Sequence, residues 1–480
     1  MAGMIIGAIA ALIVIFFLVI IIRTLRFKPY PEIEAQTGEI KVDEEKIVSD
    51  MASLIQCRTV SYRDPDLIDE AEFEKLRSLL AERFPAVHER CRLYHIGKNG
   101  LLYFLKGKSD KEPSVCMAHY DVVPVNEDEW DVPAFDGLIK DGCIWGRGTL
   151  DTKGTLCSIL EAAEQLLKEG FVPENDMYFS FSGEEEIDGQ SCGDIVTWLE
   201  EHGVKPAIVL DEGGAVVEGA FPGVSGEMAL IGIGEKGSVS VDVEISGIGG
   251  HASSPPKKTT LGYLSEAVCK IESSPFPRHF TKPVKEMFDI VGRHSTFGMR
   301  LIFANLWCFL PLLDLICKKS GGELNAMMRT TAAVTRFKGS DAYNVMPSSA
   351  KFGVNLRVMS GDTIDSSIEY LNKVIDNDKI KIDLVGGMNP SIYSDTSCAQ
   401  WEYLKKTIHD TWPDAIVSPY LMMACSDSRH YCRLTDKVYR FSCMKLSKEE
   451  RGMIHGNNER IPIATLLKTV QFYVRFIRGL

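Results

Sequence analysis

Four separated segments of the chain carry histidines and carboxylates beside apolar runs. They are His119-Tyr120-Asp121, the loop Gly146-Arg147-Gly148-Thr149-Leu150-Asp151-Thr152-Lys153-Gly154, the run Glu184-Glu185-Glu186, and Asp211-Glu212 before Gly213-Gly214. Taken one at a time, each carboxylate reads as a solvated surface group or a helix cap. Gathered at one rim, so many negative charges are costly unless a cation sits among them. Imidazole nitrogen with carboxylate oxygen suits zinc, with cobalt or manganese as substitutes, and the absence of a cysteine cluster here argues against a structural zinc site. Two ions a few ångströms apart need about six ligand positions, one of them bridging, so a second histidine is required. His455, in Ile454-His455-Gly456-Asn457-Asn458-Glu459, is the most site-like candidate, and a plain surface-loop histidine is the competing reading.

The elements that must position these groups are legible around them. Ser114–Ala118, Met177–Phe181 and Ala207–Leu210 are short apolar runs bounded by turn residues, the pattern of buried parallel strands. Between the first two, Leu156, Ile159, Leu160, Ala163 and Leu167 recur at helical spacing before Gly170 ends the helix. Strands therefore alternate with helices, and the chemistry-bearing residues collect at the strands' carboxyl ends, where open α/β sheets bind ligands. Glycines in the 146–154 loop allow the tight turn that puts Asp151 on the same edge.

The 480 residues allow two or three packed units; 53 Lys and Arg against 66 Asp and Glu leave a net charge of −13. That balance offers no basic stripe for phosphates, so no nucleic-acid partner is expected. Met1–Ile22 has no polar or charged side chain, enough for a helix of about 20 residues to cross a bilayer. No basic stretch precedes it and no small-x-small cleavage site follows, which favours an uncleaved anchor over a signal peptide. Arg23, Arg26 and Lys28 flank it, placing the body in the cytoplasm by the positive-inside rule. Thirteen cysteines without a C-x-x-C pair fit reduced thiols on that side. A secreted or lumenal body is the alternative.

Met117-Ala118-His119-Tyr120-Asp121-Val122-Val123-Pro124, the 146–154 loop and Glu184-Glu185-Glu186 together resemble the signature blocks of the di-zinc aminoacylase and carboxypeptidase family. Leu210-Asp211-Glu212-Gly213-Gly214, Ser426-Asp427-Ser428-Arg429-His430-Tyr431 and the His455–Glu459 block are most similar to its branch of carboxypeptidase S and N-fatty-acyl-amino-acid hydrolases. The resemblance runs from about residue 45 to the end. It implies two zinc ions, one held by His119 and Asp211, the other by Glu186 and His455, with Asp151 bridging. It implies that Asp121 orients His119 and that Glu185 is the general base acting on a metal-bridging water. Glu212 is the alternative to Asp211, and the run of three glutamates leaves room for a slip of one position. The implied substrates are small peptides cleaved beside a free carboxylate, or alternatively N-acyl amino acids. A catalytically silent anchored binding protein is the rival from another class, and a thiol-dependent enzyme lacks a cysteine placed beside a histidine.

Beyond Gly237 the pattern changes. Val239, Val241, Val243 and Ile245 alternate with polar residues, then come a helix at 261–271, strands at 326–337 and 350–359, a helix at 362–375 and a strand at 379–385. This β-α-β-β-α-β order predicts a ferredoxin-like lid inserted into a mixed-sheet α/β zinc-peptidase domain. The expected division is an anchor at 1–28, a linker at 29–44, catalytic parts at 45–235 and 388–480, and a lid at 236–387 with an apolar insertion at about 276–322. By the resemblance, the lid dimerises in many members. His251 is similar to a lid histidine that reaches a partner's site, and Asn344 and Arg357 resemble substrate contacts. Arg357 suits a carboxylate through its two-pronged guanidinium, and Arg429 or His430 are further candidates for the substrate's carboxylate. The stretch 301–317 is too short to span comfortably and contains Asn305, Pro311 and Asp314. It reads as a buried helical hairpin or an oligomer contact, with an apolar channel or a membrane-surface contact as the sharper alternative.

Overall fold

The computed structural model describes residues 1–31 and 34–480; positions 32 and 33 of the expected linker lie outside the described residues. The main sheet has eight strands, in the order Arg92–Ile96, Gly100–Leu105, Asn175–Ser182, Ser109–His119, Ile208–Glu218, Val438–Leu446, Glu227–Glu235, Ile416–Met422. Its centre is parallel: Ser114–His119 runs alongside Met177–Ser182, and Ser114–Cys116 alongside Ile208–Leu210. Antiparallel pairings at Gly100–Leu105 and between Ile208–Glu218 and Glu227–Glu235 make the sheet mixed.

Apolar residues fill the central strands because helices cover the sheet. Helix Lys153–Lys168 buries the Leu156, Ile159, Leu160, Ala163 and Leu167 stripe against the sheet and the C-terminal helix Ile463–Arg478. It ends where Gly170 takes a left-handed conformation, φ +82°, and closes the last turn on Leu167 O. The helix begins directly after Asp151, so packing of its apolar face fixes where that carboxylate stands.

A second sheet of four antiparallel strands, in the order Thr331–Lys338, Ser349–Val358, Gly237–Ser246, Ile380–Met388, carries helices Thr260–Ser273 and Ile364–Ile375 on one face around its own core of Val239, Val241, Val243, Leu264, Phe352 and Leu371. The alternation read at 239–245 is the alternation of that burial: odd positions in, even positions out.

The apolar stretch at 301–317 forms helices Phe297–Ala304 and Leu306–Ser320, bent by 110° at Asn305. One face packs with helix Lys282–His294 against the edge of the main sheet, burying Val284, Phe288, Phe303, Leu313 and Cys317. Ahead of the body stands helix Ala2–Arg26, whose Gly3–Arg26 segment is the one helix among the described residues that is by itself long and apolar enough to cross a membrane.

Candidate metal centre

Each element delivers its residue to the carboxyl edge of the main sheet. His119 ends the strand Ser109–His119, Glu185 and Glu186 follow the strand Asn175–Ser182, and Glu212 lies in Ile208–Glu218 where the strand passes the edge. The last candidate, His455, comes from the loop after Lys448–Met453. His455 and Asn458 both have left-handed backbones, at φ 58° and 60°, a conformation uncommon outside glycine and Asn. The loop is latched by Asn458 Nδ2 to Asp131 Oδ2 at 3.0 Å and Asn457 Nδ2 to Glu129 Oε2 at 2.9 Å.

Asp151 lies at the middle. Its Oδ1 is 3.0 Å from His119 Nε2 and its Oδ2 is 3.0 Å from His455 Nε2. On the His119 side, Glu212 Oε1 lies 3.6 Å from the same Nε2; on the His455 side, Glu186 Oε2 lies 3.0 Å from Nε2. The ligand atoms of His119, Asp151 and Glu212 lie within 4.8 Å of one another, as do those of Asp151, Glu186 and His455. Two histidines, two terminal glutamates and one shared aspartate form the nitrogen and oxygen donor set that suits a pair of divalent ions.

Asp121 sits behind His119. Its Oδ1 is 3.4 Å from Nδ1, and Nδ1 is 3.0 Å from its backbone oxygen, leaving Nε2 turned to the cluster. The same carboxylate accepts from the backbone N–H of Glu185 and Glu186, both at 3.1 Å, and from Ser61 Oγ at 2.7 Å. Glu185 Oε2 stands 4.0 Å from His119 Nε2. Its ligand atom lies within 4.8 Å of those of His119 and Glu186 as well.

The charge state of these groups follows from crowding without a cation. Burial favours neutral His119, but the facing carboxylates of Glu212, Asp121, Asp151 and Glu185 outweigh it and hold the imidazole well above its usual pKa. Hydrogen bonds to Asp151 and Glu186 push His455 up to about 10. Burial, with Asp151 opposite, drives Glu212 well above the carboxylate range, and burial with its acidic neighbours does the same to Glu185. Asp151 alone is buried yet held far below that range, because both imidazoles donate to it. An ion of charge +2 among these groups would compete with protons for the same oxygens and nitrogens.

The expected ligand Asp211 is buried next to Glu212, with His119 near enough to bear on its charge. Successive strand residues face opposite ways, and the buried Asp211 carboxylate accepts the backbone N–H of Ser428 at 3.1 Å while Glu212 faces His119. Nor does the structure bring the other expected substrate contacts to the cluster: among the described residues, no hydrogen bond or ion pair joins them to it. His251 is exposed, with Nδ1 2.7 Å from Ser253 Oγ, and neighbours Asn344 through the Ala252 N–H to Asn344 O bond of 3.0 Å. Arg357 Nη1 lies 3.7 Å from Cys425 Sγ. Arg429 donates to Asn389 O at 2.8 Å and stands 3.7 Å from Glu235, and His430 is half-buried beside it.

Two acids beside the cluster, Glu459 and Asp427, carry no role in the sequence reading. Glu459 ends the His455 block and holds the Asp151 loop. Asp427 is hydrogen-bonded to Ser182 Oγ, and burial pushes its carboxyl up to about 7. A glutamate placed four residues after His455 was the available signal for the first; the second stood inside the Ser426–Tyr431 block with no role attached to it.

A mixed α/β sheet that gathers such a ligand set at its carboxyl edge, with an acid beside it, defines a metallohydrolase. The chain belongs to peptidase family M20/M25/M40, whose sequence profile matches residues 115–479. It is 34% identical over 483 residues, 98% of this chain and 92% of the other, to the protein named "Probable carboxypeptidase S-like 2" of Dictyostelium discoideum. It is also 34% identical over 478 residues, 97% and 93%, to N-fatty-acyl-amino acid synthase/hydrolase PM20D1 of Xenopus tropicalis. The M20 family metallo-carboxypeptidase of Sulfolobus solfataricus has the same fold, with a TM-score of 0.67 at 16% identity over 90% of this chain and 98% of that one.

Proposed function

We propose that the chain is a two-zinc hydrolase that cleaves an amide bond next to a free carboxylate. The observation that carries this is the sharing of Asp151, one oxygen toward each histidine. His119, Asp151 and Glu212 would hold one ion and Asp151, Glu186 and His455 the other, with Glu212 taking the place first assigned to Asp211. When bound, the ions acidify water and polarise the scissile carbonyl.

The chain's own residues supply the rest. Glu185, beside His119, takes a proton from the attacking water and returns it to the leaving amine. Asp121 fixes the His119 tautomer and, through the Glu185 and Glu186 amides, the start of the turn that carries the base. The four-stranded unit is read as a lid that closes over the site, with His251 and Asn344 meeting the substrate there or in a second copy. Arg357, Arg429 and His430 are the candidates for gripping the carboxylate.

The relatives' names divide between carboxypeptidase S-like and N-fatty-acyl-amino acid hydrolase. Small peptides are the first reading, and N-acyl amino acids the second, favoured by the apolar surface beside the N-terminal helix. That helix is read as a single membrane anchor, with Arg23, Arg26 and Lys28 supporting a cytoplasmic body. The test is amino-acid release by full-length protein from Gly-Leu-type dipeptides, N-acetyl and N-long-chain-acyl amino acids. Release from dipeptides ranks the first reading ahead, release only from long-chain acyl substrates reverses the order, and none from any overturns both.

A further inference from the structure

We infer that the bent pair Phe297–Ala304 and Leu306–Ser320 is a second membrane-contacting element, seated in the bilayer interface beside the N-terminal helix. This rests on the reading of that helix as membrane-spanning.

Helix Leu306–Ser320 is apolar on two faces. Leu313 and Cys317 are buried against the body, while Trp307, Leu312, Leu315 and Ile316 are 57%, 52%, 50% and 51% exposed along the other side. Phe297, on the first helix of the pair, is 52% exposed as well. A surface helix in water is polar on its outward face; an outward stripe of Trp, Leu and Ile is what a helix lying in a bilayer interface presents. The polar residues that argue against a span are turned inward. Asp314 pairs with Arg329 and, at 3.2 Å, with Lys318. Asn305, at the bend, donates to Ile20 O and Thr24 Oγ1, each at 3.2 Å.

Those last contacts set the depth. Ile20 and Thr24 are buried under the bend, and Arg23 donates through Nε and Nη2 to Ala304 O at 3.2 Å. Farther along, the Trp307 ring meets Phe16 edge-on with centroids 5.7 Å apart. Phe16 precedes Arg23 by seven residues, about 10 Å along a helix axis. With Arg23 and Arg26 at the headgroups, the Trp307 end therefore lies within the apolar part of the bilayer. A cavity of about 470 Å³ at this junction is lined by Arg23, Arg26 and Lys285, with Asp289, beside Phe27, Phe303 and Trp307; the three cations and the aromatics are of the kind found at headgroup level. Any protein covering the stripe instead would itself have to enter the membrane beside Phe16.

The test uses full-length protein in phosphatidylcholine vesicles with plain or brominated acyl chains. Trp307, one of six tryptophans, should be quenched by bromine; Trp307→Phe should lose that quenching, and Trp307→Phe with Leu312→Trp should regain it. Leu312→Trp in the otherwise unchanged chain, which should add quenching, covers the case in which Trp307→Phe fails to fold. Protein that stays with vesicles through an alkaline wash but shows no Trp307 or Trp-at-312 quenching overturns the inference and leaves the anchor standing. Protein that leaves the vesicles overturns the anchor and the inference with it, without touching the metal centre.

Discussion

The buried carboxylate of Glu459 accepts the backbone N–H of Asp151 at 3.2 Å, so the residue that ends the His455 loop holds the residue both histidines share. Its oxygens also accept from Leu150 N at 2.7 Å, Gly148 N at 3.0 Å and Arg147 Nη1 at 2.6 Å. Gly148, at φ +89°, presents its N–H in a turn that a side chain would strain. Glu459→Ala leaves the buried Arg147 guanidinium without its counter-charge, a loss of about 3–5 kcal/mol for a broken buried pair. Urea unfolding and metal content should fall together; unchanged values would show that the loop is held by other contacts.

Ligand identity separates two neighbours. Glu212→Gln should lower bound metal toward one equivalent per chain, because its oxygen faces His119. Asp211→Asn should keep both, since its carboxylate serves Ser428. Elemental analysis of the two purified variants decides, and the reverse pattern would restore Asp211 as the ligand.

The proposed base is separable from the candidate ligands. Glu185→Gln should reduce kcat by roughly 10²- to 10⁴-fold, the usual contribution of general acid–base catalysis, with metal content and KM little changed. Loss of metal in this variant would mean that the glutamate run is read one position out of step.

Much of this was legible from residue patterns. The strand ends at His119 and Ser182, the helix after Asp151 and the alternation at 239–245 follow from apolar periodicity, which burial enforces. The difference in hydrogen bonding between Asp211 and Glu212 was not legible, because the two are adjacent acids before a pair of turn glycines and sequence alone does not show which carboxylate meets Ser428 and which faces His119. The Glu459 role was hidden for a related reason. A buried acid reads like any polar loop residue until the backbone amides that it satisfies, over 300 positions away in sequence, are in place. The outward face of Leu306–Ser320 could not be told from a core face by sequence, since both are apolar.

Metal-free protein should lose stability as pH rises. His455 is raised from 6.5 to about 10 and Asp427 from 3.8 to about 7, so the folded state binds protons that the unfolded state releases across those windows. Stability from these groups is full below the unfolded values and is lost as pH climbs through the folded ones. Metal binding, which displaces protons, should reverse the slope. Thermal melts with chelator and with zinc between about pH 5.5 and 7 test the sign, below the range where buried Lys153 and Lys236, lowered to about 8 and about 7, act in the opposite direction; a chelated Tm that is flat or rises with pH there would contradict it.

The most direct test of the central claim is amide hydrolysis by full-length protein before chelation, after chelation and after zinc is restored, with Asp151→Asn as control. The account predicts activity that disappears with the metal, returns with it, and is absent in the variant because neither imidazole then has its shared carboxylate. Hydrolysis that persists in the chelated protein or in Asp151→Asn would contradict it.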